Sequence, residues 1–320
     1  MTVIFILQSQ DFRGAVFPGI AADFTFLNPA LAPAAVITLD SSQFGSIPTH
    51  PISLAAHFVG SIGVNGIVVF GNFIRANLWQ VANWAAEDSI TLRANLTGST
   101  VIQGTGFADK VIGGSGSDEL NGGGGADTII GGGGADSLFG GSGLDTASYT
   151  GRLGVTVNLT TGTATGGDQL SGIENVIGSS LADRITGDAL HNGLQGGNGD
   201  DTLVGGGGID RLTGGLGADH FTYLTLADAP FGRSTDLITD FNRRVGDLID
   251  LSAIDANGRL SGDAFDFVGK ALFSHKAGEL RTFTIANATF VEGDVTGDGV
   301  ADLRIKLTGV FAVQDTDFVL

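Results

Sequence analysis

The sequence predicts an all-β chain wound as a repeating coil, and three observations carry that prediction. Ten nine-residue units recur between Gly104 and Thr222. Glycine occurs 53 times in 320 residues while charged residues make up only 16%, a composition that fits a coiled or β-rich protein better than a helical one. Within each unit the turn-forming, charged and apolar places keep fixed positions, as expected of a stacked repeat.

The units read GTGFADKVI, GGSGSDELN, GGGGADTII, GGGGADSLF and GGSGLDTAS, then after a gap GSSLADRIT, GDALHNGLQ, GGNGDDTLV, GGGGIDRLT and GGLGADHFT. The first place is glycine throughout, which lets the chain turn and approach another backbone closely. The eighth is apolar throughout, inside a run long enough for a very short strand: Val111, Leu120, Ile129, Leu138, Ala147, Ile185, Leu194, Leu203, Leu212 and Phe221. The sixth is Asp109, Asp118, Asp127, Asp136, Asp145, Asp183, Asn192, Asp201, Asp210 and Asp219. A glycine-rich flexible linker is the alternative that composition allows. A linker has no reason to keep an acid and an apolar residue in phase over ten units. A single carboxylate beside a turn with free carbonyls offers the hard oxygen donors that Ca²⁺ takes in adaptable geometry.

These units resemble the RTX (hemolysin-type) calcium-binding repeat, whose fold is a right-handed parallel β-roll or β-helix solenoid. The resemblance implies that two units make one coil and that Ca²⁺ sits between turns two units apart. It pairs Asp109 with Asp127, Asp118 with Asp136, Asp127 with Asp145, Asp183 with Asp201, Asn192 with Asp210, and Asp201 with Asp219. About six Ca²⁺ ions follow. Asn192 keeps an oxygen without the charge, so its site is expected to be the weakest.

Residues 1–100 carry no such units. Apolar runs such as AAVITL, GIVVF and DSITL, separated by Gly, Pro, Asn and Ser, read as irregular β structure. The piece with Trp79 and Trp84 resembles a segment found upstream of RTX tracts, and a solenoid needs its first coil covered. An N-terminal β cap is therefore expected, with a small effector domain as the alternative.

Between the tracts, Asp145 to Asp183 spans four nonads plus two residues, a slip of phase. Alternation continues there, and Gly166-Gly167-Asp168 with Leu170 echoes a shortened repeat, so longer β coils with a loop near 161–167 are expected. The organisation is then 1–100 capping region, 101–225 roll with tracts 104–148 and 178–222, and 226–320 C-terminal β domain.

That last part, through TDLITDFNRRVGDLIDLSAID, AGELRTFTI and EGDVTGDGVADLRIKLTG, resembles the C-terminal domain of serralysin-type proteins. The resemblance implies closure of the roll and a signal for the type I secretion apparatus. Asp236, Asp240, Asp247 and Asp250 match the family's acidic positions, and equally suit strand-end and turn carboxylates. The loop with Asp294, Asp298 and Asp302 follows the first half of an EF-hand, but Ile305 stands where the bidentate Glu belongs. A tight Asp-Gly turn is the preferred reading, an extra calcium site the alternative. The terminal Asp317-Phe318-Val319-Leu320 resembles the motif ending type I export substrates. Its deletion is expected to stop export and leave calcium-induced folding intact.

With 34 acidic against 16 basic residues, a net charge of −18, nucleic acid and anionic membrane are poor partners. No run approaches the roughly eighteen apolar residues of a spanning helix, so membrane insertion is not expected. The N-terminus lacks the basic n-region and h-region of a Sec signal. Cysteine is absent, so no disulfide framework or thiolate site exists. No H-E-x-x-H, nucleophile elbow or P-loop occurs, and His50, His57, His191, His220 and His275 form no pattern of metal ligands. The expectation is a secreted, non-enzymatic, calcium-binding protein with a scaffold, surface or matrix role. The alternative is the RTX portion of a secreted protease, lipase or epimerase without its catalytic domain, or an unrecognised hydrolase in residues 1–100.

Overall fold

The structure, a computed structural model, describes residues 98–232, 235–258, 262–309 and 312–320. Before them it describes the strands Val3–Phe5, Phe24–Leu27, Val36–Asp40, Ala56–Val59, Gly66–Phe70, Phe73–Arg75, Gln80–Ala82 and Ser89–Arg93. Trp79, Trp84 and His50 lie outside the described residues. The chain is all-β with parallel strands in stacked sheets, and the regular elements of the described residues are strands and two short 3-10 turns. None of their helices is long and apolar enough to cross a membrane. Two compact units divide the chain: 1–148 with 166–173, and 149–165 with 174–320.

In the first unit, successive repeats alternate between two parallel ladders. Ser89–Arg93, Asp109–Ile112, Thr128–Ile130 and Thr146–Ser148 form one, with Leu92, Val111, Ile129 and Ala147 in register. Val101–Gln103, Glu119–Gly124, Ser137–Ser142 and Asp168–Ser171 form the other, with Ile102, Leu120, Leu138 and Leu170 in register. Each of these side chains is at most 8% exposed, and the repeat members of the set at most 1%. The core is thus a stack of eighth-place residues between two sheets. Each repeat stacks on the next but one, as Val111 does on Ile129 and Leu120 on Leu138, so one coil takes two nonapeptides.

Residues 1–100, expected as irregular β, hold ordered parallel ladders instead. The apolar runs AAVITL, GIVVF and DSITL pair side by side, with Ile37, Ile67 and Ile90 in register and Leu39, Val69 and Leu92 likewise. Val3–Phe5, Phe24–Leu27, Ala56–Val59 and Gln80–Ala82 make a third parallel ladder. The matching residues are unevenly spaced and no glycine unit recurs between them, so a search for a short period passes over these ladders.

In the second unit the same alternation runs through Asn175–Ile177, Gly193–Asn198, Arg211–Leu216 and Asp236–Ile238 on one side. Thr156–Asn158, Arg184–Thr186, Thr202–Val204, His220–Thr222, Leu248–Asp250 and Phe318–Val319 form the other. The loop expected near 161–167 is the end of an antiparallel hairpin, Thr156–Asn158 with Thr163–Ala164. After Asp236–Ile238 the sheet accepts Leu303–Thr308, then turns antiparallel through Ala288–Asp294 and Glu279–Ile285. Across these last three strands the buried Glu292 is held by Arg281 at 2.7 Å and by Arg304, and Arg281 lies 4.5 Å over the Phe273 ring. A carboxylate this buried is costly unless such partners meet it.

The first-place and second-place glycines are dictated by the stacking. A Cβ on Gly104 would stand 1.9 Å from the Gly122 carbonyl oxygen, one coil on. Gly215 adopts φ +109°, and its Cβ would stand 1.9 Å from the Gly197 oxygen. Gly106, by contrast, has open space around it. Gly215→Ala is therefore expected to cost about 3 kcal/mol and Gly106→Ala about 0.5 kcal/mol or less, by denaturant unfolding with saturating calcium.

Candidate metal centre

Glycine turns place every sixth-position residue at the mouth of a strand, where its carboxylate is packed under the coil before it. The result is a set of stacked carboxylates. Asp127 Oδ1 accepts the Asp109 N–H at 2.7 Å, Asp136 Oδ1 that of Asp118 at 2.9 Å, and Asp145 Oδ1 that of Asp127 at 2.8 Å. In the second unit Asp201 Oδ1 accepts the Asp183 N–H at 2.8 Å, Asp210 Oδ1 that of Asn192 at 2.9 Å, and Asp219 Oδ1 that of Asp201 at 3.0 Å. All six pairs expected from the sequence stand next to each other, and all ten residues are buried, at most 4% exposed.

Beyond Asp109, each carboxylate of the repeats thus accepts a neighbouring-coil N–H with one oxygen and turns the other toward its own glycine turn. The second oxygens of Asp127, Asp201, Asp210 and Asp219 are buried and accept no hydrogen bond. Asp127 Oδ2 lies against Gly122, where a Cβ would come within 2.3 Å, and Asp201, Asp210 and Asp219 sit likewise against Gly196, Gly205 and Gly214. Only a glycine leaves room beside the oxygen.

Burial pushes the Asp127, Asp201 and Asp210 carboxyls up to about 7 and that of Asp219 to about 6, and neighbouring carboxylates add to the rise in each. Unpartnered buried carboxylate oxygens cost free energy unless a cation meets them. The donors on offer are hard oxygens from carboxylates and backbone carbonyls, without nitrogen or sulfur, which is the set Ca²⁺ takes. Among the described residues no three His, Asp or Glu side chains group as a metal site. A cation here would therefore draw most of its ligands from the glycine-turn backbone. The residues fit calcium on those terms.

Three further members are visible in the sequence without being assigned to the site there: Asp168 as the echo of a shortened repeat, Asp236 and Asp247 as acidic positions that equally suit strand ends and turns. Asp168, in the shortened repeat, gives Oδ1 to the Asp136 N–H at 3.0 Å although 32 residues separate them. Asp236 gives Oδ1 to the Asp210 N–H at 2.9 Å, and Asp247 to that of Asp219 at 3.1 Å. Asp236 is fully buried, its Oδ2 accepts nothing, and burial pushes its carboxyl up to about 8. Asp236 and Asp247 therefore extend the stack beyond the nonapeptides, whereas Asp240 caps the Gly214 and Gly215 N–H groups and Asp250 holds Ser252. The first rung of each tract is built differently. Thr105 gives Asp109 Oδ2 its N–H at 2.6 Å and its hydroxyl at 2.9 Å, and Ser179 gives its N–H to Asp183 Oδ2 at 2.5 Å and its hydroxyl to Asp183 Oδ1 at 2.9 Å. The signal was present: these two repeats carry Thr and Ser where most others carry a second glycine.

Asn192 satisfies itself. Its Oδ1 accepts the Asp188 N–H at 2.8 Å and its Nδ2 donates to the Glu174 carbonyl at 3.0 Å. Asn192→Asp would set a carboxylate against that carbonyl, unfavourable without a cation and favourable with one. The calcium midpoint of folding is expected to fall by about two- to threefold, measured by circular dichroism titration, because ligand charge tunes such sites.

The EF-hand-like loop is occupied by its own amides. Asp294 accepts the Gly297 and Gly299 N–H groups at 2.6 and 2.8 Å, and Asp302 those of Val295 and Thr296 at 2.7 and 2.8 Å. This is a turn held by carboxylates. Two histidines likewise serve turns: His191 Nδ1 accepts the Ile209 N–H at 2.8 Å, and His275 Nδ1 lies 2.7 Å from the Asp298 carbonyl oxygen.

Comparison with known proteins agrees with the geometry. The family model of the RTX calcium-binding nonapeptide repeat matches residues 96–129 and 112–147. The model of the peptidase M10 serralysin C-terminal domain matches residues 168–320, taking in the second tract. The chain therefore carries RTX calcium-binding repeats followed by a serralysin-type C-terminal domain. No curated protein matches the sequence at a significant level. Among solved structures, a subunit of the mannuronan C5-epimerase from Azotobacter vinelandii is similar at 24% identity, over 54% of this chain and 91% of that one, with a TM-score of 0.30.

Proposed function

We propose that this chain is exported unfolded by a type I secretion apparatus and folds outside the cell as calcium enters the roll, where it serves as a scaffold, surface or matrix component. The observation that supports this reading best is the stack of buried carboxylates with unpartnered oxygens, which is costly without a cation. Asp109, Asp118, Asp127, Asp136, Asp145, Asp183, Asp201, Asp210 and Asp219, with Asn192 as the uncharged rung, would hold about six Ca²⁺ ions. Bound calcium supplies charge neutralisation; the protein supplies the carboxylates, the glycine turns and the apolar stack they close.

A second reading follows from the serralysin-type match itself, because that domain is described for a peptidase family. In it the chain is the RTX portion of a secreted enzyme. We favour the non-enzymatic role, since neither the sequence motifs nor the imidazoles placed at turns assemble a catalytic set. Casein zymography of the secreted protein with zinc and calcium decides between them: no clearing is expected, and clear zones would establish the enzymatic reading.

A further inference from the structure

The C-terminal tail, expected from sequence as a detachable signal, is built into the fold. Phe318–Val319 pairs in parallel with Leu248–Asp250, Ile249 facing Phe318, and the Leu251 N–H donates to the Val319 carbonyl at 2.9 Å. Phe318 is 8% exposed, with its ring 5.2 Å from that of Phe267. Asp317 is 4% exposed; its Oδ1 accepts from Arg243 Nε at 3.1 Å and its Oδ2 from the Gln314 N–H at 2.8 Å. The Arg243 Nη2 also donates to the Gln314 side-chain oxygen.

Arg243 stands on a loop tied at both ends to the last nonapeptide. Asp240 accepts the Gly214 and Gly215 N–H groups at 3.0 and 2.9 Å. Asp247 accepts the Asp219 N–H at 3.1 Å through Oδ1 and the Asn242 N–H at 2.8 Å through Oδ2. The guanidinium that neutralises Asp317 is therefore positioned by the last carboxylate rung of the roll.

We propose that this loop makes the tail a calcium-gated signal. Closing the Asp219–Asp247 rung sets Arg243, Arg243 docks Asp317, and Asp317–Leu320 is then withdrawn from any receptor that reads it as an extended peptide. This rests on the reading of the tail as the export signal. A receptor must contact the side chains and main chain of the motif, and in the folded chain the ladder already holds the Phe318–Val319 main chain, Phe267 the Phe318 ring and Arg243 the Asp317 carboxylate. Its affinity for the folded chain is reduced by the fraction of time the tail is undocked. Export thus becomes one-way: a chain that has folded cannot re-engage the apparatus, and premature calcium binding removes the signal.

The test is carboxypeptidase release of Leu320, Val319 and Phe318 from the full chain, with circular dichroism recorded in parallel. Release in millimolar calcium is expected to be about tenfold slower than in EDTA, or slower still. Arg243→Ala and Asp317→Asn should each lose most of that protection while keeping the β signal of the roll. If Arg243→Ala does not fold, Asp317→Asn, which removes the same ion pair from the other side, carries the test. Equal release with and without calcium, or full protection in a folded Asp317→Asn chain, overturns the proposal. A separate arm uses a synthetic peptide of residues 309–320 and a purified type I exporter. Failure of the peptide to bind refutes the export reading alone, because the protection data are independent of it. Binding of the peptide together with equal competition by the calcium-folded chain refutes the gate alone.

Discussion

Chelation of calcium at neutral pH is expected to unfold the roll, with loss of most of the β signal in the far-ultraviolet circular dichroism spectrum. The expectation follows from two costs, repulsion between neighbouring rungs and burial of each carboxylate. Adjacent coils stack about 4.8 Å apart. Two carboxylates at that separation repel by about 3.5 kcal/mol at an effective dielectric near 20. Seen from the protons, holding Asp127 ionised where burial has moved its carboxyl to about 7 costs about 4 kcal/mol on the usual scale per unit. Asp201 and Asp210 stand in the same position. A few such rungs rival the 5–15 kcal/mol or so by which a whole domain is stable.

Calcium reverses the balance by mass action. At about 1 mM Ca²⁺ and a Kd near 10⁻⁴ M, each site contributes about 1.4 kcal/mol. About six sites then contribute about 8 kcal/mol, and close to nothing at submicromolar calcium. The titration should be steep, with a midpoint between about 0.1 and 1 mM. A full β signal in EDTA would sink both the folding switch and the export scheme built on it.

What could be read in the sequence was whatever repeats locally. Glycine at the first place, acid at the sixth and an apolar residue at the eighth each record one contact made a full coil away, and all ten apolar places proved buried. The six pairings, five between carboxylates and one of Asn192 with Asp210, come from the resemblance to the RTX repeat, in which one coil takes two units. What the sequence leaves undecided lies where a coil is longer than two nonapeptides. Asp168 joins its partner across 32 residues, Asp247 across 28 and Asp236 across 26, since hairpins and loops have been inserted into those coils. An acid at an odd spacing looks like any turn carboxylate until the coil it closes is seen. The N-terminal ladders were hidden similarly, with Ile37, Ile67 and Ile90 in register but no turn motif recurring between them. The tail was legible as a motif and illegible as a strand, because Phe318 pairs with Ile249, on a strand that precedes the whole antiparallel part of the domain.

Acid should weaken calcium-driven folding and, in the absence of calcium, partly replace it. The sign follows from the direction of the shifts. Asp127, Asp201 and Asp210 have folded carboxyls near 7, against 3.8 for the ordinary carboxyl. Between those values the folded metal-free roll binds protons that the unfolded chain does not, so its stability is highest in acid and is lost as pH rises through about 7. Calcium needs the ionised form and expels those protons on binding. Lowering the pH from 8 to 6 reduces the ionised fraction of a carboxyl near 7 about tenfold, so the calcium midpoint should rise by about tenfold for each such carboxylate at a site. In EDTA the same descent, stopped at about pH 5.5 to stay above the isoelectric point of 4.3, should restore part of the β signal. Calcium titrations followed by circular dichroism at pH 6, 7 and 8 check the first statement, and an acid titration in EDTA the second. A midpoint independent of pH would mean that the carboxylates remain ionised in the empty roll, and that its instability without calcium has another cause than their burial.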